Sequence, residues 1–396
     1  MDDRQKRYNT FALFLKDIIF FQYAMKNFIQ RIRLIFGFMF FFFPVVLQAQ
    51  STKYKTFSKK SNFSKHIKIT GLFYLAGQYK NQNKTADFAF LVRRAYLSVN
   101  AQISKNLSAR YTQDITIDNQ GNDAGNIELR VKYLYLQYKI PDFLFFTNTR
   151  LKFGIVQRPW LDFEEHINAY RVQGTMFMER SFLFNSAGFG ISCQGLLGGR
   201  MNGEYVTQVH PYSPGKYGSF AFGIYNGGGY HQFERNMNKN FEARITIRPF
   251  PSAVPGLQFS YLGIFGKGNI PEKPDFVLNA GFVSYESRYV TVTAQYESGR
   301  GNSYGTFVDS TFSALPQHGF SFYSELKIPK TAFAVYARYD YFSLMKYGAI
   351  EINKRRIYGV SWRFLKQNKL VFSYQDSSLF NMPKSNIYDL ALDISF

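Results

Sequence analysis

Cationic side chains recur at every second position in several segments of this 396-residue chain. Arg150 and Lys152, for example, alternate with Leu151, Phe153 and Ile155. Successive side chains of a β-strand point to opposite faces, so the cations would share one face and the apolar side chains the other. A row of cations along a low-dielectric wall attracts anions and repels cations without covalent chemistry. The pattern therefore favours electrostatic guidance of small anionic solutes over catalysis.

The same alternation places further cations on the charged faces of other segments and on one long connection. Acidic residues such as Asp114, Glu128 and Glu242 share those faces, so for any one arginine an internal ion pair is an equal alternative to a solute contact. The candidate solute-contacting cations are Arg110, Arg130, Lys132, Arg150, Lys152, Arg158, Arg171, Arg180, Arg244, Arg248, Arg338 and Arg363.

Residues suited to covalent catalysis or metal binding are sparse. With 5 histidines and 1 cysteine, the chain has no spacing typical of a metal site and no internal disulfide framework. The nearest approach to a catalytic group is His166 beside Glu164 and Glu165, or His231 near Glu234. Neither has the partner set that a hydrolase of the Ser–His or Asp–His kind requires. We expect no enzymatic activity, no cofactor and no bound metal.

The formal net charge of +21 raises the possibility of a nucleic-acid partner. Nucleic-acid-binding proteins gather their basic residues in one patch or along one helix. Here the basic residues are spread along alternating segments, so we expect no nucleic acid among the partners. A positively biased lumen fits this distribution better.

The alternating segments begin at residue 66 and are separated by Gly, Asn, Pro and Ser. They predict about sixteen strands over 66–396, with 202–210 ambiguous between an extra strand and part of a turn. Aromatic residues make up 19% of the chain, as expected for strands that cross a membrane between two aromatic girdles. A Lys or Arg facing lipid at mid-depth costs about 2–4 kcal/mol, so the charged faces must line a lumen. The sequence predicts an all-β transmembrane antiparallel barrel.

The connections between these segments alternate in length, as they do between the two ends of an outer-membrane barrel. The third connection on the longer side, 158–187, contains the apolar residues Trp160, Leu161, Phe163 and Phe177. We expect it to fold inward and constrict the pore, with a mobile external loop as the alternative. The connection 198–216 is also long, although it falls on the side of the short turns, and the sequence offers no reason for it.

The two ends of the chain carry targeting patterns. Residues 25–49 combine basic residues, a short apolar run and Leu-Gln-Ala, which is typical of a cleaved signal peptide, with an uncleaved N-terminal anchor as the alternative. Residues 1–24 then lie upstream of the true start, and 50–65 form a periplasmic N-terminal segment. At the other end, Phe396 closes a strictly alternating strand and resembles the signal by which outer-membrane barrels reach their assembly machinery.

Five short segments occur in order along the first half of the barrel region. They are FLVRRAYL at 90–97, FGIVQRP at 153–159, MERS at 178–181, GFG at 188–190 and GIYNG at 223–227. In this set and order the chain resembles the phosphate-selective porin O and P family of outer-membrane channels. The resemblance implies a sixteen-stranded barrel, commonly a trimer, with the third loop in the pore and arginines and lysines guiding anions. One departure is that Gln157 occupies the position of the family's lysine, with Arg158 one place later.

These observations together predict a porin in the outer membrane of a Gram-negative bacterium. It would form a water-filled channel for passive diffusion of small anionic solutes, phosphate among them, or of polar solutes. The expected partners are those solutes, outer-membrane lipid, the barrel assembly machinery and two further copies in a homotrimer. The alternative is a plugged structural or secretion-associated barrel, whose lumen would not conduct.

Overall fold

The computed structural model describes residues 66–83, 85–117, 125–209, 211–346 and 349–396. The expected upstream region 1–24, signal peptide 25–49 and periplasmic segment 50–65 lie outside the described residues. One compact unit comprises residues 63–116 and 128–396. The other, Met1–Asn62 with Ile117–Ile127, is described only at Ile117 and 125–127.

The chain forms a closed antiparallel barrel of sixteen strands, each paired with its neighbours in sequence and the first paired with the last. The predicted fold class and the predicted number of strands are confirmed. The strands are β1 Ile67–Gln82, β2 Thr85–Gln102, β3 Leu107–Ile117, β4 Ile127–Lys139, β5 Phe146–Gln157, β6 Ala187–Leu197, β7 Gly218–Tyr225, β8 Asn240–Ile247, β9 Leu257–Lys267, β10 Asp275–Glu286, β11 Val290–Arg300, β12 Pro316–Lys327, β13 Phe333–Lys346, β14 Ala349–Leu365, β15 Asn368–Ser378 and β16 Ser385–Ser395.

Side chains alternate between the outer surface and the lumen as the sequence predicts. In β8, Ile245 and Ile247 are exposed on the outside, whereas Glu242, Arg244 and Thr246 are buried on the inside. The outer surface is apolar because a membrane-facing wall must avoid charge, and the inner wall holds the polar groups. No helix in the described ranges is long and apolar enough to cross a membrane.

Strand β10 departs from this rule because both of its faces are apolar. Phe276, Leu278 and Phe282 are buried on the inside, while Val283 and Tyr285 are exposed outside. The inner apolar face is covered by the connection 158–187, which supplies an apolar surface of its own. Where a loop covers the inner wall, the wall forms a hydrophobic core instead of a polar lumen.

The adjacent arginines of β2 both engage groups inside the barrel. The sequence predicts one inward arginine here and the other near the rim, because the adjacent Arg93 and Arg94 cannot both point inward without a bulge. A register shift occurs here, since Tyr74 pairs with Arg94 and Leu75 with Val92, which leaves Arg93 as the extra residue. Arg93 then reaches Asp389 while Arg94 faces Asp114. The rim placement was wrong, and the bulge that could bring both inward is present.

The long connection 198–216 contains a short helix at Gly203–Gln208, so 202–210 is not a seventeenth strand. Asn202 caps this helix by accepting a hydrogen bond from the backbone N–H of Tyr205 at 2.9 Å. The Tyr205 hydroxyl lies 2.7 Å from Nη1 of Arg248, just past the end of β8. The connection is therefore folded against the neighbouring turn, which accounts for its length.

Candidate functional site

Loop 158–187 is ordered by two helices, α1 at Pro159–Ile167 and α2 at Phe177–Arg180. Pro159 stands in the first turn of α1, where its missing N–H costs nothing and its fixed φ suits a helix. Asp162 lies in that same turn, where a carboxylate is favoured by the helix dipole. The helix ends at Asn168, whose backbone N–H donates to the Glu164 carbonyl.

One side of this loop packs against the inner wall of β9 and β10. The Trp160 ring meets the Phe282 ring edge-on at 5.4 Å, and the Phe163 ring meets it at 6.0 Å. Trp160 Nε1 donates to Glu164 at 2.8 Å, so the indole leaves no polar group unpaired. The loop segment predicted to fold inward therefore does contact inward-facing side chains. The main apolar contacts are Trp160, Leu161, Phe163, Met176, Phe177, Met178, Leu262, Ile264, Phe276, Leu278 and Phe282.

The start of the loop is fixed by Arg158, a predicted solute-contacting residue. Its guanidinium is fully buried, forms an ion pair with Glu242 of β8 and lies 4.8 Å from the centre of the Tyr225 ring. Both partners of the ion pair have no exposed side-chain surface. Arg158 is therefore a structural anchor between the loop and the wall rather than an open anion contact.

The middle of the loop, at Ala169 and Tyr170, reaches strands β12, β13 and β15. The Tyr170 ring stacks on Tyr336 at 3.8 Å, and its hydroxyl donates to Glu325 at 2.7 Å. Lys369 Nζ donates to the backbone carbonyl of Ala169 at 2.6 Å. Contacts with β12, β13 and β15 thus add to those with β8, β9 and β10.

Two wall arginines hold backbone carbonyls of the same loop. Arg93 donates to the Val172 carbonyl at 2.8 Å, and Arg338 donates to the Thr175 carbonyl at 3.1 Å. Arg338 also pairs with Asp340 at 2.8 Å. These charge-assisted bonds fix the loop backbone without using any loop side chain.

Within the loop, Arg171 is enclosed by two carboxylates. Its guanidinium lies 3.1 Å from Glu165 and 3.0 Å from Glu179. The imidazole of His166 packs against the Tyr212 ring at a tilt of 34°, with ring centroids 3.8 Å apart. In the described part of the chain, no group of three or more His, Cys, Asp or Glu side chains is arranged to hold a metal ion.

A different kind of cation lies on the wall formed by β3, β4 and β5. Arg110 lies 4.8 Å from the centre of the Tyr133 ring, Lys132 lies 4.5 Å from that of Tyr96, and Lys152 lies 5.3 Å from that of Tyr135. Among the described residues, none of these three cations has a carboxylate within ion-pair distance. The rings position the cations and leave their charge uncompensated. We call Arg110, Lys132 and Lys152 the cation row.

The remaining predicted cations are held by other groups. Arg130 pairs with Asp114 at 3.2 Å, and Arg244 donates to the Pro159 carbonyl at 3.2 Å. Arg150 donates to Asn148 at 3.3 Å, while Arg180 donates to Gln173 at 3.0 Å. Arg248 is buried at the turn after β8, and Arg363 is exposed near the end of β14. The predicted set is thus spread over several environments and does not form one site.

Sequence reasoning missed the tyrosines that carry the cation row. Tyr96 and Tyr135 are buried on the inside, although aromatic residues were expected mainly at the membrane interfaces. The run Tyr133-Leu134-Tyr135-Leu136 is apolar or aromatic throughout, so the sequence does not define the strand phase there. Adjacent Lys132 and Tyr133 are both buried, so the alternation slips by one residue at this point. The sequence did indicate their orientation. Tyr96 lies two positions from Ser98, and Tyr135 lies two positions from Gln137, so each tyrosine shares a strand face with a polar residue.

No protein-family model matches the chain, and no curated protein matches it. Several solved outer-membrane proteins share its fold. An anion-selective porin from Comamonas acidovorans has a TM-score of 0.57 and 8% identity, covering 83% of this chain and 99% of that one. The trimer form of in-vitro folded OmpT from Vibrio cholerae has a TM-score of 0.54 and 11% identity, covering 84% of this chain and 100% of that one. Salmonella typhi OmpF in complex with daunomycin has a TM-score of 0.54 and 11% identity, covering 83% of this chain and 97% of that one. At these identities the similarity establishes the fold.

Proposed function

We propose that the protein is a porin of the Gram-negative outer membrane, through which small anionic or polar solutes diffuse passively. The observation that carries the proposal is the cation row on the inner wall of a closed barrel whose outer surface is apolar. The solved barrels of similar fold are outer-membrane proteins, which agrees with this location. Phosphate is included among the solutes because of the sequence resemblance to the phosphate-selective family.

Selectivity in this proposal comes from the field inside the lumen. The cation row faces away from lipid along a low-dielectric wall, where uncompensated positive charge concentrates anions and repels cations. Paired arginines such as Arg130 and Arg171 contribute less, because a carboxylate 3.0–3.2 Å away offsets their charge. No enzymatic step and no cofactor is part of this function.

Loop 158–187 is the element that would constrict the pore. It is anchored at Arg158 and again at Tyr170, on strands from different sides of the barrel. A loop fixed at its start and near its middle would narrow the lumen stably, whereas an untethered one would fluctuate. Further partners in the proposal are outer-membrane lipid, the assembly machinery that receives Phe396, and two copies of the chain in a homotrimer. The residues 25–49 would direct export.

A second candidate function is a plugged structural or secretion-associated barrel. The same anchors favour it, because a loop bonded to both sides could close the lumen altogether. The two candidates differ in a single measurable property. Purified barrel reconstituted in planar bilayers should show steady single-channel conductance if it is a porin. Full insertion without conductance would favour the plugged barrel.

A further inference from the structure

A cavity of about 230 Å³ lies between helix α1 and the inner wall of β1 to β4. Sites for drug-sized ligands measure about 300–1,000 Å³, so this one suits a solute no larger than an amino acid. Its charged and aromatic lining residues come from both the loop and the wall. They include Tyr74, Tyr96, Tyr133, Arg110, Lys132 and Asp162, together with His166 and the ion pair of Glu165 with Arg171.

The wall side of the cavity is positive. Lys132 is 3% exposed, and its Nζ donates to the Tyr96 hydroxyl at 2.9 Å while lying over the rings of Tyr96 and Tyr133. Arg110 lies over the other part of this aromatic surface, next to Tyr133. Both cations belong to the cation row, which has no carboxylate partner in the described ranges. An anionic group entering the cavity would find two fixed positive charges.

The loop side of the cavity carries the opposite charge. Asp162 projects from the first turn of α1 and forms no ion pair with any described residue, unlike Glu165, which is held by Arg171 at 3.1 Å. The nearby guanidinium of Arg244 donates instead to the Pro159 carbonyl and to Ser219 at 3.0 Å. The cavity therefore holds charges of both signs outside any ion pair with a described residue, Arg110 and Lys132 on the wall and Asp162 on the loop.

A simple anion does not satisfy this arrangement, because it meets the carboxylate of Asp162 as well as the two cations. A solute with separated negative and positive groups satisfies both sides. The rings of Tyr74, Tyr96 and Tyr133 add apolar and π-rich surface between them, which favours a flat ring in the solute.

We propose that this cavity is a binding station for small ring-bearing zwitterions, of the aromatic α-amino acid class. The carboxylate would face Lys132 and Arg110, the ammonium would face Asp162, and the ring would lie against the tyrosines. The inference rests on the proposed channel function and adds a solute class to it.

Block of single-channel current by three probes tests the assignment on the full-length barrel in planar bilayers. The probes are L-phenylalanine, 3-phenylpropanoate, which lacks the ammonium, and 2-phenylethylamine, which lacks the carboxylate. L-Phenylalanine should block at about tenfold lower concentration than either analogue, since one charge-assisted hydrogen bond is of that order. Equal block by L-phenylalanine and 3-phenylpropanoate would overturn the proposal.

Variants separate the two sides of the cavity. Asp162→Asn should weaken block by L-phenylalanine about tenfold and leave 3-phenylpropanoate unchanged, while Asp162→Glu should retain the block. Lys132→Gln should weaken block by both probes. The matched controls Asp309→Asn and Lys105→Gln, on connections away from the cavity, should change neither. Loss of block by both probes in Asp162→Asn would show a structural effect and contradict the assignment.

Failure of the channel function is a distinct result. If no variant and no wild-type barrel conducts, the proposed porin function is wrong, and binding of radiolabelled L-phenylalanine to detergent-solubilised barrel then tests the cavity by itself. Saturable binding that Asp162→Asn abolishes would support the site. Absence of binding would overturn it.

Discussion

At the scale of single residues, the cations of this barrel differ by what surrounds them. Arg158 and Arg338 are buried beside a carboxylate, whereas the cation row lies on tyrosine rings with no carboxylate partner among the described residues. The alternation in sequence identifies which cations face inward, because the geometry of a strand alone determines the face to which each side chain points. The alternation cannot identify their partners, because Glu242 of β8 lies 84 positions from Arg158 and the two meet only in the folded barrel.

Removing Arg158 should destabilise the protein strongly. Arg158→Gln leaves the carboxylate of Glu242 buried and unpaired, which costs about 3–5 kcal/mol. The double variant Arg158→Gln/Glu242→Gln should recover most of that loss. Urea unfolding in lipid vesicles measures the free energy of unfolding.

The matched control is Arg356→Gln, which breaks a pair with Asp376 whose side chains are 55% and 30% exposed. An exposed pair contributes about 0–1 kcal/mol at most, so the control should hardly change stability. An Arg158→Gln protein as stable as this control would contradict the anchoring role.

Glu164 should make the docking of loop 158–187 depend on pH. Burial raises the pKa of its carboxyl to about 7, against about 4.3 for an exposed glutamate. Between these values the docked loop holds a proton that the undocked loop has lost, so docking weakens as pH rises from about 4.3 to about 7 and is flat outside that range.

In the Glu164→Gln protein, the pH slope of loop docking between pH 5 and pH 8 should become much smaller, with the remainder due to Glu165, whose pKa is also raised by burial. Hydrogen-exchange protection factors of the α1 amides, corrected for intrinsic exchange rates, measure the docking of loop 158–187. Substitution of the exposed Glu204, as Glu204→Gln, is the control. An undiminished pH slope of loop docking in the Glu164→Gln protein would assign the pH dependence to another group.

At the scale of the strands, the period-two pattern is what makes the fold predictable. Lipid outside and polar groups inside impose the alternation on most strands, so the barrel and its strand number follow from sequence. The pattern fails in β10, where Phe276 and Phe282 face an apolar loop instead of a polar lumen. It also misses the bulge at Arg93 and the helix at Gly203–Gln208, because both depend on contacts distant in sequence.

The phase of β4 across 133–136 can be tested within one strand. Leu134 is 55% exposed on the outer surface, whereas Gln137 lies on the inner side and donates to Ser108 at 3.3 Å. Leu134→Arg should cost about 2–4 kcal/mol if the site is near the bilayer midplane. Gln137→Arg should be tolerated.

Folding into vesicles of defined thickness, followed by urea titration, compares the two variants. Equal losses would mean that the inward and outward faces of β4 are assigned incorrectly.

At the scale of the whole molecule, Phe396 extends the pairing of β1 with β16 that closes the barrel. Phe396 exchanges two backbone hydrogen bonds with Gly71, at 3.0 and 3.1 Å, and its ring covers Gly71 where any added Cβ would clash. We expect Phe396→Ser to leave unassembled protein in the periplasm, because the terminal aromatic is proposed as the assembly signal.

Heat-modifiable mobility of outer-membrane fractions measures assembly. Gly71→Ala serves as a comparison that disturbs the same contact while keeping the terminal aromatic, and it should assemble better than Phe396→Ser. Normal assembly of the Phe396→Ser protein would contradict the proposal that Phe396 is an assembly signal.

The central claim is that uncompensated cations on one wall give the lumen an anion preference. Arg158 is among the solute-contacting cations predicted from the sequence, but its charge is neutralised by Glu242. The structure points instead to the cation row, Arg110, Lys132 and Lys152.

The reversal potential of single channels across a KCl gradient tests this claim most directly. Wild-type barrel should be anion-selective at low salt, and replacing all three residues of the cation row with Gln should shift the potential toward cations. The shift should shrink from 0.1 M to 1 M salt, as the Debye length falls from about 10 Å to about 3 Å. Changing Lys105, Lys330 and Lys366 to Gln, with the same loss of charge outside the lumen, should shift it less. A wild-type pore that is cation-selective at low salt would contradict the account.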